Sequence, residues 1–213
     1  LEAEAAWLRF DDLMNFTEQM IKHTVEKLLE DEQTRKIIAE FRNGELKPLE
    51  LAISEPYPRI SYTEAIELLQ ERGVKIEWGC DLGADEERVL TKQFETPIHL
   101  HRFPREIKAF YMKVDPSDPR VVLGVDLLLS QGYGEVIGGS EREDDLEKLL
   151  ENMRLFNLDP SDYEWYLDLR RYGSVPHSGF GLGVERFIMW LLKLEHIRDA
   201  IPFPRLARTK VHI

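Results

Sequence analysis

The stretch Arg170 to Phe187, RRYGSVPHSGFGLGVERF, sets three glycines at alternating positions, Gly179, Gly181 and Gly183, just ahead of Arg186. On a strand, alternation at period two puts all three on one face and strips that face of side chains, so a flat ring could lie against bare backbone. Val184, Phe187, Ile188 and Leu191 follow at i, i+3, i+4 and i+7, the stripe of a helix packed on a core, with Arg186 in its first turn. A strand-to-helix corner of this kind offers a platform and one permanent positive charge, which suits a nucleotide with its phosphates. The competing reading is tight strand–helix packing, because GxGxG is neither the dinucleotide fingerprint GxGxxG nor a phosphate loop of the GK[ST] type.

Asp126 in VDLLL and Glu135 in GYGEVIGG each stand on an expected strand among apolar neighbours. A carboxylate entering a buried sheet needs a cation or a hydrogen-bond partner. If the two strands pair through a turn at Gly132, both carboxylates could face one divalent ion. Mg²⁺ suits such a site, because it also binds phosphates and keeps several waters. The alternative is two edge carboxylates paired with arginines. Gly138 and Gly139 inside a strand signal close approach of a backbone or a ligand, and Arg142 can present a planar fork to a carboxylate or amide oxygen. A β-bulge followed by a solvated arginine explains the same residues more plainly. His177, beside Pro176, reads as a structural hydrogen bonder or a phosphate contact, and Cys80 has no paired base to make it a nucleophile. The acidic run 141–147 reads as a helix N-terminus with a solvated face.

The elements that must hold these side chains follow from periodicity and punctuation. Helical spacing is expected over 10–29, 32–42, 62–72, 85–94, 144–156 and 162–171, and again after Gly183. The segment 44–59, with Pro48, Pro56 and Pro58, reads as a connector without regular structure. Short β-rich pieces at 98–101, 109–114, 121–129 and 134–140, with no helices between them, argue for an antiparallel sheet, and the first residues, LEAEAAWLR, also read as a strand. The expectation is an α+β domain, with helices flanking a mostly antiparallel sheet and the glycine strand at its centre.

Composition bounds the function. With 28 Lys and Arg against 40 Asp and Glu, the net charge is −12, which excludes a general nucleic-acid-coating surface while leaving room for a local basic patch. The single cysteine cannot form an internal disulfide, and no Cys/His spacing resembles a zinc site, so a reducing cytoplasm is the expected compartment. No apolar run reaches transmembrane length, and no membrane partner is expected.

Taken in order, FPREIKAFYMK, the Asp126 and Glu135 pair, GEVIGGSERE, WYLDLRRYGSVPHSGFGLGVERF and HIRDAIPFPR resemble class II aminoacyl-tRNA synthetases of the aspartyl, asparaginyl and lysyl subgroup, with GFGLGVERF matching that class's motif 3. After Glu135 the chain carries GGSER, which is similar to asparaginyl enzymes, bacterial ones most closely, where aspartyl enzymes usually carry a Ser-Gly-Ala-Gln-Arg type of sequence. The resemblance implies a class II sheet flanked by helices. It implies that Arg186 contacts the γ-phosphate of ATP, that Gly181 and Gly183 form the floor beneath adenine, and that Asp126 and Glu135 hold Mg²⁺. It also implies that Arg142 meets the side-chain oxygen of asparagine, that Gly138 and Gly139 shape the pocket, and that Lys108 is an active-site contact of lower weight. The implied partners are asparagine, ATP and tRNA(Asn), with a homodimer in the full-length protein.

The chain begins at what resembles the returning strand of motif 2. On that resemblance, residues 1–213 are the C-terminal portion of the catalytic domain, from the end of motif 2 through motif 3. The motif 2 arginine, motif 1 and the anticodon-binding barrel would lie outside it. This chain alone is therefore expected not to catalyse adenylation. The alternatives are a synthetase paralogue acting as an ATP-dependent asparagine synthetase without tRNA charging, or an aspartyl-type enzyme. The tail LARTKVHI matches no family ending with a legible function.

Overall fold

The computed structural model describes residues 1–205 of the 213; the tail LARTKVHI lies outside the described residues. Eight strands form, in chain order β1 (Glu2–Ala6), β2 (Arg59–Ser61), β3 (Ile98–His101), β4 (Val114–Asp115), β5 (Asp118–Val122), β6 (Gly124–Leu129), β7 (Gly134–Glu141) and β8 (His177–Leu182). Six of them make one sheet in the order β1-β8-β7-β6-β3-β2, antiparallel throughout except for the β2–β3 pair, while β4 and β5 form a separate hairpin. Among the described residues the glycine strand β8 is thus one in from the edge, and β7 and β6 are the central pair. β1 takes the outer place, its EAEAA pairing residue for residue with His177–Gly181.

One face of the sheet is closed by α1 (Phe10–Glu30), whose Leu13, Met14, Ile21 and Val25 are buried at helical spacing. Its start is fixed by Glu141 at the end of β7, whose carboxylate accepts from the Phe10 N–H at 3.0 Å and from Arg9 Nη1 at 3.0 Å, so an orphan helix donor finds an anion. The same core takes in α2 (Glu32–Phe41), α3 (Lys47–Ser54) and, after β8, the helix Val184–Leu192. α3 departs from the expected connector: Pro48 falls in its first turn, where the missing N–H has no partner to lose, and Leu49 and Ala52 are fully buried. Arg42, 0% exposed, ties these pieces together. It donates to Trp190 O at 2.7 Å, Glu45 O at 2.7 Å and Gln131 Oε1 at 3.0 Å, which caps the C-terminal end of the last helix and pins the β6–β7 turn.

The other face is covered at two ends. α4 (Tyr62–Glu71), opened by a capping box between Ser61 and Glu64, packs on β2 and β3, and α5 (Ala84–Thr91) on β6 and β7, around a shared core of Ile66, Leu69, Leu90, Leu100 and Leu128. At the opposite end α6 (Leu146–Leu155) and α7 (Glu164–Arg171) enclose Leu149, Met153 and Leu167 with Phe110, Tyr163 and Tyr166, and α8 (Val184–Leu192) is the last α-helix among the described residues. Residues 109–113 are not the expected strand, because Phe110 and Tyr111 turn into this aromatic cluster and Met112 makes only an isolated bridge to Arg142. The expected strand 121–129 is broken at Leu123, whose N–H bonds Lys113 O at 2.7 Å, so its first half joins the hairpin and its second half the main sheet. No described helix is long and apolar enough to cross a membrane.

His99 on β3 is 0% exposed between α1 and the sheet, with Nε2 3.2 Å from Thr17 Oγ1. Burial above all pushes it down to about 3, and burial likewise takes His101 down to about 4. Below about pH 6.5 the unfolded chain takes up protons that the folded chain refuses, so folding stability falls as pH drops from there toward 3. The thermal midpoint is expected to decline with acidification across that window. His99→Leu should flatten the slope, as measured by melting curves at stepped pH.

Candidate active site

Register places four residues in one cross-strand row on the sheet face opposite α1. Glu2 of β1 faces Gly181 of β8, Gly181 faces Gly138 of β7, and Gly138 faces Asp126 of β6. Directly opposed residues share a face, so two neighbouring strands present bare backbone between two carboxylates. In the next row Glu4 faces Gly179, Gly179 faces Ser140, and Ser140 faces Gly124.

The three alternating glycines therefore do different things. A Cβ on Gly181 would meet only Glu2 Cγ at 3.7 Å, so that position is open. A Cβ on Gly179 would overlap the Glu4 carboxylate, which lies across it, and one on Gly183 would meet the stem of Arg186 at 3.6 Å. Gly183 is the N-cap of α8, outside β8. The platform is the cross-strand pair Gly138 and Gly181, not a row along β8, and of that pair Gly181 is the open position while the Glu135 carboxylate lies over Gly138. Gly139 serves the opposite face: a Cβ there would come within 2.9 Å of Gly179 O and 3.4 Å of Leu13 Cδ2, so its bareness lets α1 approach the sheet.

Around the platform lies a cavity of about 620 Å³ that brings together Lys108, Asp126, Glu135, Gly138, Gly139, Arg142 and Gly181 of the sequence-derived candidates. At one end the Arg142 guanidinium donates to Glu4 Oε1 at 2.6 Å and Oε2 at 3.3 Å and to Ser140 Oγ at 2.6 Å, and it stacks over Tyr111, 5.0 Å from the ring centre. Arg142 is thus held in the cavity wall, in place of the solvated helix start that was the plainer expectation. At the other end the carboxylates of Asp126 and Glu135 converge over Gly138, whose Cβ would meet Glu135 Oε1 at 2.8 Å and Asp126 Oδ1 at 3.5 Å.

Both acids have cation partners here, though only one is an arginine. Lys108 Nζ donates to Asp126 Oδ2 at 2.7 Å, and Arg186 Nη1 stands 3.8 Å from Glu135 Oε2 while donating to Glu135 O at 2.7 Å. Asp126 is 8% exposed, and its burial, opposed by Lys108 and reinforced by Glu135, pushes its carboxyl up to about 6. Glu87 of α5 joins this cluster: its carboxyl is also pushed up, by burial first and then by Glu135 and Asp126. Two carboxylates converging over one glycine fit a cation that takes few protein ligands, and among the described residues no group of three or more His, Cys, Asp or Glu is arranged to hold a metal.

Arg186 and Gly183 do not line the main cavity. Arg186 borders a neighbouring one of about 300 Å³ with Tyr133, Met189 and His196, and joins the site through Glu135. His177 turns its Nδ1 to Val175 O at 2.8 Å and lies against a third cavity, of about 260 Å³, while Cys80 is an exposed free thiol. Sequence reasoning missed Glu2, Glu4, Tyr111 and Tyr166, which line the main cavity. The period-two acids of LEAEA were the available signal for the first two, since they match the period of the glycines they oppose.

Residues 1–207 match the family model of the tRNA synthetases class II (D, K and N). The asparagine–tRNA ligase of Pyrococcus abyssi is 57% identical over 205 residues, 96% of this chain and 46% of that protein. That of Desulforamulus reducens is 52% identical over 206 residues, 97% of this chain and 47% of that protein. The crystal structure of asparaginyl-tRNA synthetase from Pyrococcus horikoshii complexed with asparaginyl-adenylate superposes with a TM-score of 0.92 at 56% identity, covering 97% of this chain and 47% of that one. The chain thus spans about half the length of the relatives it matches.

The two glycine roles separate by stability. Gly139→Ala should cost about 1–3 kcal/mol, because backbone and Leu13 must give way, whereas Gly181→Ala should stay within about 0.5 kcal/mol; urea denaturation of both variants measures the contrast.

Proposed function

The chain belongs to the class II tRNA synthetases of the D, K and N group, and from that premise we propose that it is the C-terminal portion of the catalytic domain of an asparagine–tRNA ligase. The protein would use ATP to activate asparagine to asparaginyl-adenylate and then pass the aminoacyl group to tRNA(Asn), acting as a homodimer in the cytoplasm. The observation that carries this reading is the pairing, in one cavity, of an arginine–glutamate end with a two-carboxylate end across a bare backbone platform. A relative of 56% identity solved with asparaginyl-adenylate supports the same assignment.

At the first end the chemistry matches a carboxamide. Arg142 supplies N–H donors for its oxygen, and Glu4 supplies an acceptor for its NH₂; an aspartate carboxylate in the same place would meet the Glu4 charge at close range. Tyr111 and Tyr166 wall that end. Over the open Gly181 backbone a flat adenine ring can lie, with the Glu135 carboxylate over the neighbouring Gly138 at its edge. Arg186, half-exposed and held by the Glu135 carbonyl, keeps guanidinium donors free for a phosphate, in the role of the γ-phosphate contact. Asp126 and Glu135 would hold Mg²⁺, which when bound offsets phosphate charge. Lys108, already on Asp126, adds a second positive charge beside it.

In the first step the α-carboxylate of asparagine attacks the α-phosphorus of ATP and pyrophosphate leaves. In the second a terminal ribose hydroxyl of tRNA takes the acyl group and AMP leaves. Neither step needs a covalent enzyme nucleophile, so the residues act by positioning and by charge.

The complete protein should catalyse asparagine-dependent ATP–pyrophosphate exchange and should favour asparagine strongly over aspartate. Arg142→Lys, which loses the fork, should lower kcat/KM for asparagine by about 10–100-fold while leaving KM for ATP nearly unchanged. Glu4→Gln should narrow the asparagine-to-aspartate ratio. Exchange that depends on aspartate instead, or an Arg142→Lys enzyme as active as its parent, would overturn the reading. Gly181→Val should raise KM for ATP about tenfold or more at near-parental stability, read by the same assay with melting curves.

A further inference from the structure

The strand that carries Glu135 is irregular where it matters. Along the β6–β7 ladder Leu127 faces Ile137 but Leu128 faces Glu135, so β7 holds one residue more than β6 at Glu135–Val136, a β-bulge. In an unbroken strand Glu135 and Gly138, three positions apart, would project to opposite faces. The extra residue returns Glu135 to the face of Gly138 and Asp126, and only for that reason can its carboxylate sit over Gly138.

A bulge loosens local pairing, and this one is gripped from outside the ladder. The Glu135 N–H donates to Glu87 Oε2 of α5 at 2.9 Å, while the Glu135 carbonyl accepts from Arg186. Gly134, just before it, has φ +72°, and a Cβ there would overlap the Glu87 carboxylate, so glycine is needed both for the backbone angle and for the approach of Glu87. Thr91 Oγ1 donates to Glu87 O at 2.7 Å, a bond within α5 one turn on.

We propose that Glu87 is a positioning residue: through the Glu135 amide it holds the β7 bulge that keeps the Glu135 carboxylate beside Asp126, and so sets the geometry of the cation-binding pair without belonging to it. This rests on the reading of Asp126 and Glu135 as the Mg²⁺ pair. Because Glu87 acts through one acceptor oxygen, an amide in its place should serve and a methyl should not.

The test compares Glu87→Gln and Glu87→Ala in the complete protein by two measurements. The first is hydrogen exchange at the Glu135 amide without substrate or Mg²⁺; the second is the Mg²⁺ concentration for half-maximal asparagine-dependent pyrophosphate exchange. Glu87→Ala should speed amide exchange and raise the Mg²⁺ midpoint, each by about tenfold or more, with little change in KM for asparagine, and Glu87→Gln should restore both. Three results would overturn the proposal: both quantities unmoved in Glu87→Ala, faster amide exchange with an unmoved Mg²⁺ midpoint, or Glu87→Gln as damaged as Glu87→Ala, which would make the Glu87 charge itself the working group. Failure of the underlying Mg²⁺ reading shows separately, as a midpoint untouched by Glu135→Gln.

Discussion

The site depends on the register of β7, which must pair Gly138 with Gly181 on one side and with Asp126 on the other. A slip of one residue would send Gly139 to the open face and turn Gly138 toward α1. Two contacts oppose such a slip. On the helix side, Gly139 is the only residue size that lets Leu13 and the Gly179 carbonyl come as close as they do. At the far end of the strand, the Glu141 carboxylate is committed to the first N–H of α1 and to Arg9. The same strand is thus locked by its core-facing residues so that its other face can bring Gly138 beside Gly181 and beneath the Glu135 carboxylate.

Charge in the cavity is arranged in segregated groups. Glu4 and Arg142 neutralise each other in a two-point contact at one end, and the Tyr111 ring backs the guanidinium. Asp126 and Glu135 gather at the other with Glu87 behind them on the Glu135 amide, where burial and mutual repulsion raise Glu87 and Asp126 against the pull of Lys108 and Arg186. An excess of buried carboxylate is costly to folding, and it persists where positive charge arriving with a ligand offsets it. The overall charge of −12 does not contradict a site for anionic phosphates, since Lys108 and Arg186 bring positive charge to the carboxylate end.

How far the site could be read from the chain depends on whether each feature is local. Helical stripes and the strands at 98–101 and 134–140 follow from short-range pattern, and the structure has them within a few residues. α3 was hidden because prolines at 48, 56 and 58 read as a loop, although only Pro48 lies in the helix and it occupies the turn that tolerates it. Residues 109–113 carry strand-forming side chains that tertiary packing recruits into an aromatic cluster, an override of propensity by burial. Asp126, Arg142 and the glycines drew notice by residue type and spacing, but spacing left their plainer readings open and only the family resemblance gave them roles. Glu4 drew none, because its meaning comes from the opposite strand, more than 170 positions away.

The glycine motif shows why a pattern and its use have to be argued separately. Period two correctly implies a shared face, yet the face is shared with whatever the neighbouring strands place upon it. Beside β1, Gly179 accommodates a carboxylate of the protein's own; at the mouth of α8, Gly183 accommodates the stem of Arg186; only Gly181, opposite another glycine, is left open. What distinguishes it is the coincidence of two glycines in adjacent strands, brought together by a register that α1 and Glu141 enforce from the far side of the sheet. The platform is therefore a property of the paired strands, which is the level at which a ligand would meet it.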